Sequence, residues 1–216
     1  MPVPAAFIRA HTRPARPSLV PEVQLLVAAD VVALWEAMEV EQGRTDEEPP
    51  FWAAAWPGGQ ALARHVLDTP GLVAGRTVLD LGAGSGLVAV AAVLAGATRV
   101  VASEIDPFGL AAIPENAALN GVTGLEPVGD LLAGGPPVVD VVLAGDVCYD
   151  RTMTERVLPF LDAARAAGAE VLIGDPGRPY LPHHRLVEAA VHDVVDTEAA
   201  ATGTARVRRT TVWRLP

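Results

Sequence analysis

Hydrophobic positions along the chain fall into two alternating kinds of run. Short runs rich in β-branched residues predict strands, and they lie at residues 76–81, 99–103, 125–128, 138–144 and 170–173. Longer runs rich in alanine and leucine predict helices, and they lie at residues 60–67, 87–94, 107–120 and 152–167. Regular alternation of strands and helices is typical of a parallel sheet covered by helices on both faces.

The two ends of the chain predict further elements. Apolar spacing favours a helix over residues 21–43 and a short helix over residues 186–190. Residues 192–197 and 205–213 predict two closing strands, the second from a weak alternation of apolar and polar positions. Together with the five central strands, they lead us to expect an α/β fold with a seven-stranded, mostly parallel sheet.

The length of 216 residues fits one domain with an N-terminal extension. We expect residues 1–50 to form an arm and a helix that pack on the core, and residues 51–216 to form the main domain. The first 21 residues contain arginines and no acid, a weak feature of transit peptides, but their prolines disfavour the amphipathic helix that such peptides need. We therefore expect an extended arm.

A glycine-rich turn follows the first central strand. Gly82, Gly84 and Gly86 alternate with small residues, and Asp80 lies two residues before the first of them. Such a turn lets a ligand approach the backbone, and the helix after it offers free N–H groups. Leu87 stands where a dinucleotide fingerprint needs glycine, and the chain has no lysine for a P-loop. The acid favours a ligand that carries an ammonium group and ribose hydroxyls.

Every central strand ends in an acid. These acids are Asp80, Glu104, Asp130, Asp146 and Asp175. Because the predicted strands are parallel, these acids share one edge of the sheet. Ligands of open α/β sheets bind at this edge, beyond the carboxyl ends of the strands. Glu104 follows Gly82 by 22 residues, the spacing of an acid that binds a ribose diol, and Asp130 could accept from an adenine amino group. A cationic, ribose-bearing ligand explains the set.

The run from Val78 to Gly86, with Glu104 and Asp130, resembles the class I S-adenosylmethionine-dependent methyltransferases. The resemblance implies a Rossmann-like fold and S-adenosyl-L-methionine as the cofactor. The cofactor-binding residues that we expect are Trp56, Asp80, Gly82, Ala83, Gly84, Gly86, Glu104, Ile105, Asp130, Leu131 and Gly145.

Further motifs resemble a narrower family, the electron-transfer flavoprotein β-subunit lysine methyltransferases and their bacterial relatives. They are Phe7-Ile8-Arg9 with Thr12, Val20-Pro21-Glu22, Trp56-Pro57-Gly58-Gly59-Gln60-Ala61-Leu62, Asp146-Val147-Cys148-Tyr149-Asp150 and Ile173-Gly174-Asp175-Pro176-Gly177-Arg178-Pro179. This resemblance covers almost the whole chain. It implies an enzyme that methylates a lysine side chain of a protein such as the electron-transfer flavoprotein β subunit.

The resemblance guides the expected catalytic roles. Asp146 would attract and orient the lysine amine, and Tyr149 would form a wall of its channel. Asp175 and Arg178 would shape the opposite rim of the substrate site. Trp56 is our candidate for a pocket wall, whereas we expect Trp52 to lie in the core.

Composition limits the classes of partner. A formal net charge of −10 argues against general nucleic-acid binding and fits a basic or lysine-presenting protein. No apolar run is long enough for a membrane span, no Cys/His cluster predicts a metal site, and the single cysteine, Cys148, fits a cytoplasmic protein. We expect Cys148 to be a small buried residue and not a nucleophile, because no histidine is placed to activate it.

Three alternatives compete with protein-lysine methylation. One is a small-molecule N- or O-methyltransferase similar to nicotinamide N-methyltransferase. The second is a catalytically silent nucleotide-binding scaffold, which the intact set of acids disfavours. The third is a NAD-binding oxidoreductase, which Leu87 disfavours.

Overall fold

The computed structural model describes Val3 and residues 5–45, 48–196 and 206–216. Its main feature is a seven-stranded sheet with the strand order β5-β4-β3-β6-β7-β9-β8. The strands are β3 (Thr77–Leu81), β4 (Arg99–Ser103), β5 (Leu125–Val128), β6 (Val141–Gly145), β7 (Glu170–Asp175), β8 (Val187–Asp196) and β9 (Arg206–Leu215). The first five are parallel to one another and the last two pair antiparallel, which confirms the predicted mostly parallel α/β sheet.

Helices cover both faces of this sheet. In chain order they are α1 (Ala5–His11), α2 (Val31–Gln42), α3 (Pro57–Asp68), α4 (Leu87–Leu94), α5 (Pro107–Leu119) and α6 (Arg151–Ala166). Apolar side chains of α3, α4 and α5 pack in one core cluster against the sheet, whereas α6 packs in a second cluster with the opposite strand faces. Buried strands such as β6 carry apolar side chains on both faces for this reason.

The N-terminal region differs from its prediction. Strands β1 (Thr12–Ala15) and β2 (Leu25–Ala28) pair antiparallel, so the predicted helix over residues 21–43 is wrong in its first part and begins only at Val31. The predicted extended arm is wrong where α1 forms. Asn116 of α5 explains the placement of β2, because its side-chain oxygen accepts a hydrogen bond from the Leu26 amide at 2.8 Å.

The C-terminal region also differs. The predicted helix over residues 186–190 is wrong, because β8 begins at Val187. The two closing strands are confirmed, although Thr197 and Ala205 of their predicted ranges lie outside the described residues. The pairing of β8 with β9 supplies the long-range hydrogen bonds that a local helix pattern cannot reveal. Among the described helices, none has the length and apolarity to cross a membrane.

Candidate active site

The glycine turn after β3 forms the floor of the candidate site. Gly82, Gly84 and Gly86 have φ angles of 70°, 51° and 80°, a left-handed conformation that glycine adopts without steric cost. The Gly82 and Ala83 amides donate to the Ser103 carbonyl at 3.0 and 2.9 Å, which fixes the turn against β4. Gly86 then begins α4 as its N-terminal cap residue. The backbone is therefore folded tightly at the edge where the parallel strands end.

Glu104 holds this turn from the neighbouring strand. One carboxylate oxygen accepts from the Gly84 amide at 2.6 Å, and the other accepts from the Ile105 and Asp106 amides at 2.7 and 2.9 Å. The residue is only 8% exposed. A carboxylate with three amide donors is fixed in position, and of its about four lone-pair sites one is left, on the oxygen that accepts from Gly84.

Asp80 is almost fully buried beneath the turn. Its Oδ2 atom accepts from the Ala89 amide at 2.9 Å, in the first turn of α4. Burial raises the pKa of this carboxyl to about 7, the Ala89 amide opposes the rise and Glu104 adds to it. A buried acid that lines a cleft is stabilised in its ionised form by any cation that enters the cleft.

Asp146 lies at the end of β6 with a φ of 59°, which is uncommon for a residue other than glycine. Its Oδ2 accepts from the Gly59 amide at 2.7 Å, and its Oδ1 accepts from Arg178 at 2.5 Å. Burial raises the pKa of the Asp146 carboxyl, and the Arg178 guanidinium opposes this rise. The side chain is 11% exposed, so the acid lies at the boundary between the core and the cleft.

Arg178 and Asp175 join Asp146 in one cluster. Asp175 is 1% exposed, and its Oδ1 accepts from the Gly177 and Arg178 amides at 2.7 Å each. The Arg178 guanidinium contacts the second Asp175 oxygen at 3.4 Å. The predicted rim residues are therefore placed beside Asp146, and two carboxylates hold the guanidinium.

Four glycines bring α3 against the ends of β6 and β7. A Cβ atom built on Gly58 would lie 2.2 Å from the Gly174 carbonyl oxygen, and one built on Gly145 would lie 2.8 Å from the Gly59 Cα. This close backbone contact places the Gly59 amide on Asp146. Gly58, Gly59 and Gly174 stand in the family motifs of the sequence, but the motifs did not predict a role for them. The only sequence signal was glycine where a helix begins and where a strand ends.

Aromatic residues lie at the mouth of the cleft. Trp52 is 1% exposed and packs in the core, as expected. Phe51 is 48% exposed, and its ring lies 5.8 Å from Trp56 and 6.3 Å from Tyr149 between ring centroids. Burial raises the pKa of Tyr149, and Asp150 and Glu48 raise it further. Phe51 is a site candidate that the sequence reasoning did not select, because three aromatics in six residues did not show which ones face outward.

The structure brings some predicted residues into one cleft and leaves others outside its lining. Seven of the predicted residues line the cleft: Trp56, Asp80, Gly82, Ala83, Gly84, Gly145 and Asp146. Gly86 continues the turn, Glu104 and Arg178 contact lining residues, and Asp175 contacts Arg178 behind them. Ile105 is 53% exposed, Leu131 is half-buried and Tyr149 is 46% exposed, and all three stay outside the lining.

Asp130 is exposed, lies outside the cleft lining and has its own partners. Its carboxylate accepts from the Leu132 amide at 2.9 Å and from the Arg156 guanidinium at 2.7 Å. The Leu132 amide and Arg156 lower the pKa of Asp130, although partial burial opposes them. This carboxylate is therefore ionised, and it is accessible at the end of β5.

Cys148 is fully buried, as expected for a structural residue. Burial raises the pKa of its thiol to about 11, so the thiolate needed for nucleophilic attack is scarce at neutral pH. Across the described ranges of the chain, no group of three His, Cys, Asp or Glu side chains could hold a metal ion.

Comparison with known proteins relates the chain to methyltransferases. The family described as ribosomal protein L11 methyltransferase (PrmA) matches residues 61–145. The human electron transfer flavoprotein beta subunit lysine methyltransferase is 36% identical over 202 residues, which cover 91% of this chain and 75% of that protein. The rat protein of the same name is 38% identical over 174 residues, covering 78% of this chain and 66% of its own. The chain spans about two thirds of the length of the rat and mouse relatives, 66% of each.

Solved structures show the same fold. A putative RNA methyltransferase from Pyrococcus horikoshii matches with a TM-score of 0.58 at 18% identity and covers 84% of this chain and 97% of its own. Magnesium protoporphyrin IX methyltransferase from Synechocystis, solved with bound SAH, matches with a TM-score of 0.52 at 13% identity, covering 73% of this chain and 82% of its own. At these identities the likeness concerns the fold.

Proposed function

Because the chain belongs to the family of electron transfer flavoprotein beta subunit lysine methyltransferases, we propose that it methylates a lysine side chain of a protein. The observation that carries the proposal is the meeting of a buried acid, Asp80, and a partly buried acid, Asp146, in one cleft. Asp80 lies beneath the glycine turn and Asp146 lies at the end of the adjacent strand β6. A cleft of this kind suits one cation held at the turn and a second cation, the lysine ammonium, beside it.

S-adenosylmethionine fits the residues that surround the turn. Gly82, Gly84 and Gly86 keep the backbone open to a ligand, because their left-handed conformations exclude most side chains. Asp80 provides a buried negative charge for an ammonium group, and the Glu104 oxygen that accepts from Gly84 keeps a lone pair for a ribose hydroxyl. Asp130, with Leu131 beside it, would accept from the adenine amino group, and Ile105 would cover the base. When bound, the cofactor supplies a methyl group activated by a sulfonium.

Asp146 supplies the charge that receives the lysine. A free lysine amine has a pKa of about 10.4 and is protonated at neutral pH, so the site must bind the ammonium and allow it to lose a proton. The Asp146 carboxylate attracts the ammonium and orients the amine. Its two oxygens each have one protein donor, from Gly59 and Arg178, and each keeps a lone pair for a further donor. Positioning of this kind lowers the barrier to direct displacement.

Aromatic rings form the walls of the lysine channel in this proposal. Trp56 lines the cleft, and Phe51 lies between it and Tyr149, with ring centroids 5.8 Å from Trp56 and 6.3 Å from Tyr149. Their faces suit the methylene groups and the positive charge of a lysine side chain. The Trp56 ring is held in place, since its Nε1 donates to the Phe51 carbonyl at 2.7 Å.

The N-terminal residues 1–50 would act as a packed extension of the domain formed by residues 51–216. Support comes from a core cluster in which Phe7 and Ile8 of α1 pack with Phe108 of α5 and with Trp52. Trp52 in turn lies beside the glycine turn, because a Cβ built on Gly84 would be 3.8 Å from the Trp52 Cα. The extension would therefore stabilise the cofactor side of the site.

The test is transfer of radiolabel from S-adenosylmethionine to purified electron transfer flavoprotein. We expect label on a lysine of its β subunit with the wild-type enzyme and a large loss with Asp146→Asn. Mass spectrometry of the labelled peptide identifies the lysine. Label that appears only in small molecules of a host extract would contradict the protein substrate and favour small-molecule methylation.

A further inference from the structure

Asp146 by itself would hold a bound lysine in the wrong protonation state. A carboxylate that accepts a hydrogen bond from an ammonium stabilises the charged form and raises the pKa of the amine. The nucleophile in methyl transfer is the neutral amine, because only the neutral form has a free lone pair. A site built around Asp146 therefore needs a second feature that offsets this effect.

The Arg178 guanidinium is a permanent positive charge beside Asp146. Its Nη1 atom donates to Asp146 Oδ1 at 2.5 Å and lies 3.4 Å from Asp175 Oδ2. Burial lowers the pKa of Arg178, but the two carboxylates outweigh burial and raise the pKa overall. The Arg178 side chain is 21% exposed and that of Asp175 is 1% exposed, so solvent screens this charge only in part.

The end of β7 fixes the position of Arg178. Asp175 Oδ1 accepts from the Gly177 and Arg178 amides at 2.7 Å each, which holds the backbone of Arg178 against the strand. Gly145, the residue before Asp146, pairs with Gly174, the residue before Asp175. Two neighbouring strands therefore set the guanidinium and the Asp146 carboxylate relative to each other.

A lysine ammonium that binds Asp146 would lie close to this guanidinium. Each Asp146 oxygen accepts one hydrogen bond, from Arg178 or from Gly59, and keeps one lone pair. Two donors that share one carboxylate lie within about 6 Å of each other. At that distance a like charge disfavours the ammonium, so the pKa of the lysine amine falls.

The other titratable groups close to Asp146 are acids or are uncharged at neutral pH. Asp80 lines the same cleft and Asp175 lies behind Arg178, and both acids favour the ammonium. Burial raises the pKa of the Cys148 thiol to about 11 and also raises that of the Tyr149 hydroxyl, so neither group is charged at pH 7. Within the described part of the chain, the guanidinium is the single cation paired with Asp146.

The elements packed around Asp146 add no competing cation. Helix α4 has no titratable side chain, and β9 has only Thr211 and Val212 opposite the end of β7. The basic residues in the first half of α6 are exposed, and Arg156 among them pairs with Asp130. The titratable residues of α3 lie in its second half, away from the Gly59 amide: Arg64, His65 and Asp68.

We propose that Arg178 is a positioning residue whose fixed positive charge offsets Asp146 and promotes deprotonation of the bound lysine. This inference rests on the proposed lysine methylation and deepens it. The ammonium releases its proton to water at the mouth of the cleft. The freed lone pair forms the bond from nitrogen to the methyl carbon as the C–S bond breaks, and the electron pair of that bond stays on sulfur.

The first measurement is the pH dependence of kcat for flavoprotein β-subunit methylation by Arg178→Gln. Loss of the positive charge raises the pKa of the bound amine, so we expect the midpoint of the rise in kcat to move up by about one pH unit or more. At pH 7 kcat should fall about tenfold, whereas its maximum at alkaline pH should stay within about threefold of wild type. KM should not rise, because the ammonium no longer meets a like charge.

Two variants serve as controls for this profile. Arg178→Lys keeps the positive charge and should restore most of the wild-type midpoint. Arg185→Gln is the matched substitution at an exposed arginine that pairs with Asp162, and its profile should equal that of wild type.

The second measurement reads the lysine amine without turnover. The β subunit is methylated with ¹³C-labelled S-adenosylmethionine, and the methyl chemical shift is followed against pH in complex with S-adenosylhomocysteine and each enzyme. We expect the amine pKa to be about one unit higher with Arg178→Gln than with wild type. Asp175→Asn removes a negative charge behind Arg178 and keeps an acceptor for the two amides, so the amine pKa should be lower.

Asp175→Asn keeps the guanidinium, so it tests the same balance of charges if Arg178→Gln does not fold. An amine pKa that is equal in the wild-type and Asp175→Asn complexes would overturn this inference alone. The same holds if Arg178→Gln lowers kcat equally at every pH, or raises KM without moving the midpoint, which would show that Arg178 binds the partner protein. No methylation of the flavoprotein by the wild type would overturn the proposed substrate as well.

Discussion

The Asp146 carboxylate accepts a hydrogen bond from the Gly59 amide at 2.7 Å, so the acid that ends β6 also caps helix α3. Trp56, the residue before α3, makes no side-chain cap hydrogen bond. A negative charge at a helix N-terminus is favourable because the first amides have no partner within the helix. The proposed catalytic acid is thus fixed by secondary structure on one oxygen and by Arg178 on the other.

Asp146→Asn removes the negative charge of residue 146 but keeps an acceptor for the hydrogen bond that caps α3. The amide oxygen of asparagine can still accept from Gly59, but the negative charge that attracts a lysine ammonium is lost. We expect kcat for protein methylation to fall about 100-fold or more, with the cofactor dissociation constant changed by less than about threefold. Turnover is measured with radiolabel and cofactor binding by calorimetry.

Asp162→Asn is the control for this change. Asp162 is an exposed acid that pairs with Arg185 on the surface, so its neutralisation should leave turnover unchanged. Asp146→Ala removes the cap as well, and we expect it to lower the free energy of unfolding by about 2–3 kcal/mol because Gly59 and Arg178 lose their acceptor. An Asp146→Asn enzyme with wild-type turnover would disprove the assignment.

Glu104→Gln tests the link between β4 and the glycine turn. Three backbone amides donate to this carboxylate, and glutamine offers only one acceptor oxygen in its place. We expect cofactor affinity to weaken about 10- to 100-fold, since hydrogen bonds to a charged group contribute about 1.5–3 kcal/mol. Glu126→Gln, at an exposed pair with Arg99, should bind as the wild type does. Equal affinities of the two variants would exclude Glu104 as the ribose acid.

Asp80 should make stability depend on pH. Its pKa in the folded protein is about 7, above the ordinary value of 3.8, so the folded state binds more protons than the unfolded state between these values. Stability therefore falls as the pH rises from about 4 to 7, and the full cost is present above pH 7. We expect Asp80→Asn, which stays neutral, to be more stable than wild type at pH 8.

The comparison at two pH values isolates this group. The stability advantage of Asp80→Asn over wild type should be larger at pH 8 than at pH 5, by roughly 3 kcal/mol in urea unfolding. Other titrating groups, such as His65 and His192, contribute equally to both proteins and cancel in the difference. An advantage that is the same at both pH values would show that Asp80 keeps an ordinary pKa in the folded protein.

Gly58→Ala should disrupt the contact between α3 and β7. The added Cβ would lie 2.2 Å from the Gly174 carbonyl oxygen and 2.7 Å from an Asp146 oxygen, and backbone cannot rotate away. We expect a loss of about 3 kcal/mol or more in urea unfolding, together with loss of turnover. Gly71→Ala has open space around its Cβ and should change stability by less than about 1 kcal/mol. Similar stabilities of the two variants would show that α3 is free to shift.

Local patterns were sufficient to predict the central sheet. The runs that end at Ser103 and Val128 gave the bounds of β4 and β5, because short apolar strands between helices are recognisable without knowledge of their partners. The glycine turn and the acids at the strand ends were predictable for the same reason. Parallel strands in this connectivity place all of their carboxyl ends at one edge.

Elements that depend on distant partners were not predictable. Leu25–Ala28 follows helical apolar spacing, yet it forms a strand because Thr12–Ala15 pairs with it and Asn116 accepts the Leu26 amide from 90 residues away. β8 shows the same behaviour at Val187, where pairing with Arg214 decides the conformation. In both places a non-local hydrogen-bond partner overrides the weak local preference.

Within the site, it was easier to predict which residues take part than which of them contact one another. Sequence reasoning selected Asp146 and Arg178 but placed them on opposite rims, whereas their side chains are 2.5 Å apart. Asp146 has a left-handed backbone, which aspartate adopts more often than most non-glycine residues, but the motif does not show that it does so here. The Gly58–Gly174 contact was hidden because it joins residues far apart in the chain.

The contact between Gly58 and Gly174 also constrains how this chain can diverge. A Cβ on either residue would lie within 2.2 Å of the carbonyl oxygen of the other. A larger residue at one position cannot be offset by a smaller one at the other, because both residues are already glycine. Pairs of packed residues usually change together by compensating substitutions, and this pair cannot. We therefore expect related proteins with new substrates to keep both glycines and to differ at the aromatic residues Phe51, Trp56 and Tyr149. The glycine pair would then identify members of the family, and the aromatic residues would distinguish their substrates.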